Sequence, residues 1–276
     1  MNELTNERMN EISKTFAIVT GASSGIGFAF AEALLKRGYN LLIVSNVAEI
    51  NEAAEKLKKA TPTLPDGKVP EIIPLQMDLG QQSSARELYE YTRAHEMEVE
   101  VLVNNAGVYH DKDILDDSEA FTSLIMNLHM NTPAMLCYLY GQDMKARGKG
   151  YILNVCSVTS KMAAQRLGTY GGTKAFLSHF TRALHIELHK YGVHVTDVSP
   201  GAVDTGLYSI SPALTKCGKC LGIIVSPETL ARRGLRALFR GRAKTTIPTI
   251  FWRVLCFLIL LAPTCLLRLI RRLGWF

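Results

Sequence analysis

Short apolar runs rich in β-branched residues alternate along this chain with longer segments that have helical periodicity. FAIVT, NLLIV, VEVLVNN and YILNV are runs of this kind, and a helix-like segment follows each of them. Continuous apolar runs of this length are typical of strands buried on both faces, as in parallel sheets covered by helices. The alternation therefore predicts a doubly wound, Rossmann-type α/β fold with a mostly parallel sheet and helices on both faces.

The length and composition indicate one catalytic domain. The chain has 276 residues and is 47% apolar, which is enough for a single large core. Strands are expected to begin near residues 15, 40, 71, 99, 150 and 193, with a seventh near 245. We expect the catalytic domain to cover residues 1–250, with a substrate lid at about 202–226 and a basic apolar tail at 251–276.

A glycine-rich loop follows the first predicted strand and precedes a helical segment. Its sequence is TGASSGIG, from Thr20 to Gly27. Gly21 permits a tight turn, Gly25 lets the backbone approach a phosphate, and Gly27 lets the helix pack closely on the strand. The helix N-terminus supplies N–H donors to a pyrophosphate, so the loop predicts a dinucleotide site.

A tyrosine and a lysine lie one helical turn apart in TYGGTK. They are Tyr170 and Lys174, and Ser157 ends a predicted strand thirteen residues before the tyrosine. A tyrosine normally loses its proton near pH ~10, and an ammonium fixed on the same helical face lowers that pKa. The serine hydroxyl can hold a substrate oxygen. The three side chains predict a proton donor for a carbonyl oxygen.

These motifs, with NNAG at Asn104 to Gly107, follow one another in a single order from about Thr15 to Thr205. Together they resemble the short-chain dehydrogenase/reductase family, and the end of the chain resembles bacterial-type members with a basic apolar C-terminal tail. The resemblance implies four catalytic residues, with the first in a water-mediated proton relay: Asn127, Ser157, Tyr170 and Lys174. It implies these cofactor contacts: Gly21, Ser23, Ser24, Gly25, Ile26, Gly27, Ser45, Asn46, Asp78, Leu79, Asn105, Ala106, Gly107, Tyr170, Lys174, Pro200, Gly201, Val203 and Thr205.

Two of these contacts have more specific expectations. The family places the residue at Asp78 against the adenine ring, although a helix cap is an alternative role for this side chain. Thr205 matches the threonine that reaches the nicotinamide carboxamide. No metal site is expected, since Cys217 and Cys220 have no second ligand pair at similar spacing.

The end of the second strand indicates which dinucleotide is preferred. An NAD enzyme usually carries an acidic side chain there, which accepts the ribose hydroxyls and repels a 2′-phosphate. The residues at this point are Ser45 and Asn46, and neither is acidic. The arginine common in NADP-preferring relatives is missing too, as is a basic residue at Ser24. We expect NADP(H) to be favoured over NAD(H).

The predicted lid is rich in apolar residues, which favours a lipid-like substrate. Candidates are a 3-keto sphingoid base, a 3-oxoacyl chain and a steroid-like ketone. One alternative is a soluble reductase of a small polar carbonyl metabolite. A non-enzymatic cofactor-binding regulator is the other, and the intact Ser157, Tyr170 and Lys174 argue against it.

The C-terminal tail is basic and apolar. Between Arg232 and Phe276 the chain has ten Lys or Arg residues and no Asp or Glu. The apolar segment Val254–Pro263 is shorter than the ~20 residues that cross a bilayer. A structural cover and an interfacial membrane helix both fit, and we favour the membrane surface. We expect an intracellular protein, associated with the cytoplasmic face of a membrane, that forms homo-oligomers and binds no nucleic acid.

Overall fold

A parallel sheet between two layers of helices makes up the part of the chain that the structure, a computed structural model, describes. The described residues are 15–61, 63, 67, 69–109, 111–161, 166–205, 218, 223–246, 254 and 258. Most of the predicted lid and tail therefore lies outside the described residues.

The strands and helices alternate through the first two hundred residues. In chain order the strands are β1 (Thr15–Thr20), β2 (Asn40–Ser45), β3 (Ile72–Gln76), β4 (Glu98–Asn104), β5 (Gly150–Val155), β6 (Val193–Ser199), β7 (Ala202–Val203), β8 (Ile224–Val225) and β9 (Lys244–Thr246). The α-helices are α1 (Gly25–Leu35), α2 (Ile50–Lys59), α3 (Ser84–Ala94), α4 (Glu119–Met126), α5 (Thr132–Arg147), α6 (Gly168–His189) and α7 (Pro227–Phe239). A π-helical turn, Asn127–Asn131, joins α4 to α5.

Seven strands form the main sheet in the order β3-β2-β1-β4-β5-β6-β9, and every neighbouring pair is parallel. The predicted strand starts are confirmed to within one residue. The order reverses direction between β1 and β4, which makes the crevice at their carboxyl ends the topological switch point. Ligands of open α/β sheets bind in such a crevice.

Each face of the sheet has its own apolar core. Val19 and Ile43 face the layer that contains Leu34 and Leu235, whereas Ile18 and Leu42 face the layer that contains Leu88 and Leu136. Neighbouring strand residues thus point to opposite layers, as the two-residue period of a strand requires. Burying one such side chain contributes about 1.5 to 3 kcal/mol, so both helix layers are held by burial of this kind.

A buried polar network joins the central strands to α6. Asn104 Nδ2 donates to Asn154 Oδ1 at 2.8 Å, and Asn154 Nδ2 donates to Thr181 Oγ1 at 2.8 Å. All three side chains are buried. Because unpaired polar groups are costly in a core, the network fixes the positions of β4, β5 and α6 relative to one another. The candidate site lies at the carboxyl ends of β4 and β5 and at the N-terminal end of α6.

The two ends of the predicted lid are held together by a small parallel pair that the sequence did not predict. β7 pairs with β8, residue Ala202 with Ile224 and Val203 with Val225. Helix α7 begins directly after this pair, where Ser226 Oγ caps it by accepting from Thr229 N at 3.2 Å. Within the described residues, no helix combines the length and the apolar character needed to span a bilayer.

Candidate active site

A cavity of about 210 Å³ opens where β1, β4, β5 and β6 end. The loops after these strands supply most of its wall, and α6 supplies the remainder. Its lining residues are Gly21, Ser24, Gly25, Ile26, Asn105, Gly107, Val108, Tyr109, His129, Val155, Cys156, Ser157, Tyr170, Lys174, Pro200, Gly201, Val203 and Thr205. The structure thus brings together the glycine loop, three of the four predicted catalytic residues and the segment after β6.

The glycine loop has the backbone that its sequence predicts. Gly21 and Gly25 have φ values of +65° and +56°, a region that favours glycine. A Cβ at Gly27 would lie 2.1 Å from the Gly21 carbonyl oxygen, so any side chain there would push the loop away from α1. Ser24 precedes α1 without capping it through its side chain. The first N–H groups of α1 are therefore available to an anion.

The NNAG segment fastens the glycine loop to the end of β4. Asn105 Nδ2 donates to the carbonyl oxygens of Thr20 and Gly21, at 2.9 and 3.1 Å. The Thr20 hydroxyl in turn accepts from the backbone N–H groups of Asn105 and Ala106, at 2.9 and 3.0 Å. These bonds fix the floor of the cavity. The loop geometry and the uncapped helix fit the pyrophosphate of a dinucleotide.

Lys174 is buried beneath the tyrosine. Its Nζ donates to the Val155 carbonyl at 2.9 Å and lies 5.9 Å from the centre of the Tyr170 ring. Burial lowers the pKa of Lys174, and the nearby Cys156 and Asp197 oppose that shift. Burial thus disfavours the charged form of Lys174, whereas these two neighbours favour it.

Ser157 is held at the end of β5. It is buried, and its Oγ accepts from Thr159 N at 3.2 Å. Tyr170 and Lys174 line the same cavity from the first two turns of α6. The structure therefore brings Ser157, Tyr170 and Lys174 to one wall, as the sequence predicts.

Asn127 does not reach this cavity. It is half-buried at the start of the π turn and is not among the residues that line either of the two cavities next to Lys174. His129 lies there instead, 1% exposed, with its ring centre 5.7 Å from that of Tyr170. Residues two apart on a helix point in nearly opposite directions, so only one of the pair can face the site. The sequence analysis did not single out His129, which lies between Asn127 and Asn131 in the stretch IMNLHMN.

The remaining predicted contacts lie around the glycine loop. Ser45 Oγ donates to Ser23 Oγ at 3.2 Å, so the end of β2 touches the loop. Asn46 is exposed, and its carbonyl accepts from Gln76 Nε2 at 3.2 Å. No carboxylate occupies either position at the end of this strand.

Asp78 and Leu79 follow β3. Asp78 accepts from Gln81 Nε2 and from Gly80 N, both at 2.9 Å, and these bonds lower the pKa of its carboxyl group. This side chain caps the turn after β3, whereas Ser83 holds the N-cap position of α3. The Leu79 carbonyl accepts from Thr132 Oγ1 at 2.8 Å.

Thiols and metal ligands contribute no second site in the part of the chain described. Cys137 and Cys156 are buried thiols. Among the described residues, no group of three or more His, Cys, Asp or Glu side chains could hold a metal ion. Cys217 and Cys220 lie outside the described residues.

Comparison with known proteins identifies the class to which this fold and site belong. The profile of the family described as short chain dehydrogenase matches residues 15–212. This chain belongs to the short-chain dehydrogenase/reductase family, whose members are oxidoreductases that act on CH–OH or carbonyl groups with NAD(P).

Three similar proteins illustrate the range within the family. The chain is 28% identical to a very-long-chain 3-oxoacyl-CoA reductase of Coccidioides immitis, over 82% of this chain and 62% of the relative. It is 30% identical to an inactive hydroxysteroid dehydrogenase-like protein 1 of Homo sapiens, over 86% and 68%. A bulky-bulky ketone specific alcohol dehydrogenase from Comamonas testosteroni has a similar structure, with 27% identity and a TM-score of 0.71 over 87% and 90%.

These relatives differ from the chain in length. The chain spans about three fifths of the first curated relatives it matches, 59% and 62% of their residues. Their activities and substrates therefore enter below as support for proposals.

Replacing Gly27 with alanine should weaken dinucleotide binding at least tenfold, because the new methyl group would collide with the Gly21 carbonyl at 2.1 Å. Isothermal titration calorimetry of the variant with NADPH and with NADH measures the loss of affinity. Gly172→Ala is the matched control, since a Cβ at Gly172 meets nothing within 4 Å. A Gly27→Ala protein that binds either dinucleotide as tightly as the parent would contradict the assigned phosphate loop.

Proposed function

We propose that this protein is an NADP(H)-dependent oxidoreductase that interconverts a ketone and a secondary alcohol on a lipid-like substrate. The single observation that carries the proposal is the wall where Ser157, Tyr170 and a buried Lys174 face the glycine loop across one cavity. A dinucleotide, a carbonyl oxygen and a proton donor would meet there.

Each catalytic side chain has a distinct task in this proposal. When bound, the dinucleotide supplies or accepts the hydride at the carbon of the substrate. Ser157 orients the substrate oxygen by a hydrogen bond, and Tyr170 Oη gives that oxygen a proton in reduction or takes one in oxidation. Lys174 stabilises the phenolate through its charge and binds the nicotinamide ribose.

The preference for NADP(H) rests on the end of β2. Ser45 and Asn46 offer hydroxyl and amide groups there, and neither repels a 2′-phosphate as a carboxylate would. The contact between Ser45 and Ser23 places two hydroxyls side by side at the edge of the glycine loop. Such groups donate hydrogen bonds to phosphate oxygens as readily as to ribose.

An apolar rim beside the catalytic tyrosine supports a lipid-like substrate. The Tyr109 ring packs edge-on against Tyr170, with ring centres 5.5 Å apart. Ile114 and Leu115 are 57% and 95% exposed, and Ile114 lies against Gly168 at the start of α6. Gly168 lies two residues before Tyr170, and exposed aliphatic side chains so close to a site favour an apolar ligand. The names of the very-long-chain 3-oxoacyl-CoA reductase and of the bulky-bulky ketone specific alcohol dehydrogenase agree with a large apolar substrate. We retain a 3-keto sphingoid base, a 3-oxoacyl chain and a steroid-like ketone as candidates.

The tail at 251–276 is proposed to hold the catalytic domain, residues 1–250, at the cytoplasmic face of a membrane. Val254 and Leu258, the two described tail residues, lie four positions apart and are 51% and 58% exposed. Residues at this spacing share one face of a helix. An exposed apolar face together with the positive charge of the segment fits an anionic membrane surface.

The homo-oligomer is proposed to form through α5 and α6. Tyr138, Phe176 and Ile186 are exposed on these helices, at 56%, 39% and 76%. Large apolar side chains exposed on adjacent helices are typical of a surface that a second copy covers.

Light scattering after gel filtration should find more than one chain per particle, and a monomer at micromolar concentration would contradict the proposal.

Replacing Tyr170 with phenylalanine should lower turnover of a long-chain 3-oxoacyl thioester by about 10² to 10⁴-fold and leave dinucleotide binding intact, because only the proton-bearing oxygen is lost. Tyr191→Phe is the matched control. Lys145 and Lys190 lower the pKa of Tyr191, yet it follows the opposite end of α6 from the cavity. Turnover of Tyr170→Phe within about threefold of the parent would remove this tyrosine from the mechanism. A screen of polar and apolar ketones in the same assay tests the substrate class.

Changes at the end of β2 should move the cofactor preference in opposite directions. Asn46→Arg places a guanidinium where a 2′-phosphate is expected, and a charge-assisted contact of about 1.5 to 3 kcal/mol tightens NADPH tenfold or more. Ser45→Asp should repel the phosphate and favour NADH. The ratio of NADPH to NADH dissociation constants measures both effects. A parent that prefers NADH, with a ratio unmoved by Asn46→Arg, would overturn the assignment.

Removing residues 251–276 should shift the protein from the membrane pellet to the supernatant of a low-salt lysate, because the proposed anchor is lost. Flotation with vesicles containing anionic lipid measures the same contact with purified protein. Full-length protein that stays wholly in the supernatant would contradict the membrane proposal. Misfolding of the shortened chain would favour the tail as a structural cover of the domain.

A further inference from the structure

The π-helical turn between α4 and α5 aims a histidine at the catalytic wall. The N–H of Thr132 donates to the carbonyl of Asn127, five residues back, so the turn contains one residue more than a regular α-helical turn. Such bulges change the direction of the side chains that they carry and are frequent at functional sites. Here the side chain that enters the site is His129, and it lines the cavity with Tyr170 and Lys174.

Both ring nitrogens of His129 have partners. Val108 N donates to Nε2 at 3.0 Å, and Nδ1 lies 3.1 Å from Thr173 Oγ1. A backbone N–H can only donate, so Nε2 presents a lone pair. The Thr173 hydroxyl gives its own hydrogen to the Tyr170 carbonyl at 2.8 Å. It therefore accepts from Nδ1, which carries the single proton of the ring.

These bonds link two walls of the site. Val108 follows Gly107 at the exit of β4, and Thr173 lies on α6 between Tyr170 and Lys174. The imidazole also packs edge-on against the Tyr170 ring, at an interplanar angle of 78°. It thus connects the floor of the cofactor cavity to the helix that carries the catalytic pair.

The space around Gly107 is matched to this ring. A Cβ on Gly107 would lie 2.8 Å from His129 Nε2 and 3.6 Å from Lys174 Nζ. The glycine, the imidazole and the ammonium therefore pack against one another, with no room for a methyl group between them. A displacement of the ring would be transmitted to Tyr170, to Lys174 and to the backbone at Gly107.

We propose that His129 is a positioning residue that stays neutral in its Nδ1–H form. Through Thr173 and Val108 it fixes the position of Tyr170 relative to the floor of the cofactor cavity. It does not itself carry a proton in the reaction. With both nitrogens bonded to protein groups, the ring has no free atom to hold a relay water. Burial and the charge of Lys174 lower the pKa of His129 well below its ordinary value, which agrees with a neutral ring. The proposal of a positioning role rests on the proposed oxidoreductase function, whereas the tautomer does not.

Nitrogen-15 NMR of the imidazole groups in the full-length protein tests the tautomer without any substrate. We expect His129 to show a protonated Nδ1 and a bare Nε2 that do not change between about pH 5 and 8. The titratable groups that face His129 are Lys174, whose charge acts on the ring, and Tyr170, whose ring packs edge-on against it. A ring that titrates within the range, or one that carries its proton on Nε2, would overturn the proposal.

Substitutions at His129 separate positioning from proton transfer. His129→Phe keeps the ring and loses both hydrogen bonds, so kcat should fall about tenfold to a hundredfold as Tyr170 shifts, with the dinucleotide dissociation constant within about threefold. His129→Asn can still reach Thr173, and His129→Gln can still reach Val108, so each should recover part of the lost kcat. His95→Phe, at an exposed histidine of the same chain, is the matched control.

The pH profile distinguishes the outcomes. We expect every variant to lower kcat by a constant factor across the profile, because no proton of His129 takes part. Loss of a limb of the profile in His129→Gln would instead make this histidine an acid or base. Unaltered kcat in His129→Phe would remove the positioning role. A protein that gives the expected NMR result but reduces no ketone would contradict the oxidoreductase proposal. The tautomer of His129 would still be established.

Discussion

The arrangement of the site depends on the hydrogen bond that the buried ammonium of Lys174 donates to the Val155 carbonyl. This bond joins α6 to the end of β5, at the edge where the central strands finish. A buried charge is tolerated only where other groups compensate it. Asp197, itself buried and bonded to the hydroxyls of Ser178 and Ser199, lies in the same region and favours the charged lysine. This arrangement places the Lys174 ammonium 5.9 Å from the centre of the Tyr170 ring.

The sheet could be predicted from the sequence because its strands are buried on both faces. Runs such as NLLIV are apolar at nearly every position, which makes them easy to recognise. Each strand of the seven-stranded sheet starts within one residue of its predicted start. The glycine loop was equally readable, since Gly21 and Gly25 adopt backbone angles that few other residues tolerate. Ser157, Tyr170 and Lys174 come together because parallel strands and their following helices meet at one edge.

The helix before β5 could not be predicted in the same detail. Family resemblance pointed to Asn127, and a regular helix leaves open which of several neighbouring residues faces the site. The π turn at Asn127–Asn131 has no signature in the letters NLHMN, and it sets the direction of His129. Pairing of Ala202 with Ile224 likewise depends on contacts made by distant parts of the chain. Local sequence patterns carry little information about either feature.

The central claim is that the site formed by Ser157, Tyr170 and Lys174 reduces a ketone with a dinucleotide. Transfer of isotope from cofactor to product tests this claim most directly. NADPH deuterated at C4 of the nicotinamide, in separate samples for each face, would be incubated with the protein and the ketone that it turns over. Mass spectrometry should find one deuterium on the carbinol carbon for one of the two labels, and none there when only the water is deuterated. An alcohol that takes its carbon-bound hydrogen from water, or from neither label, would contradict the account.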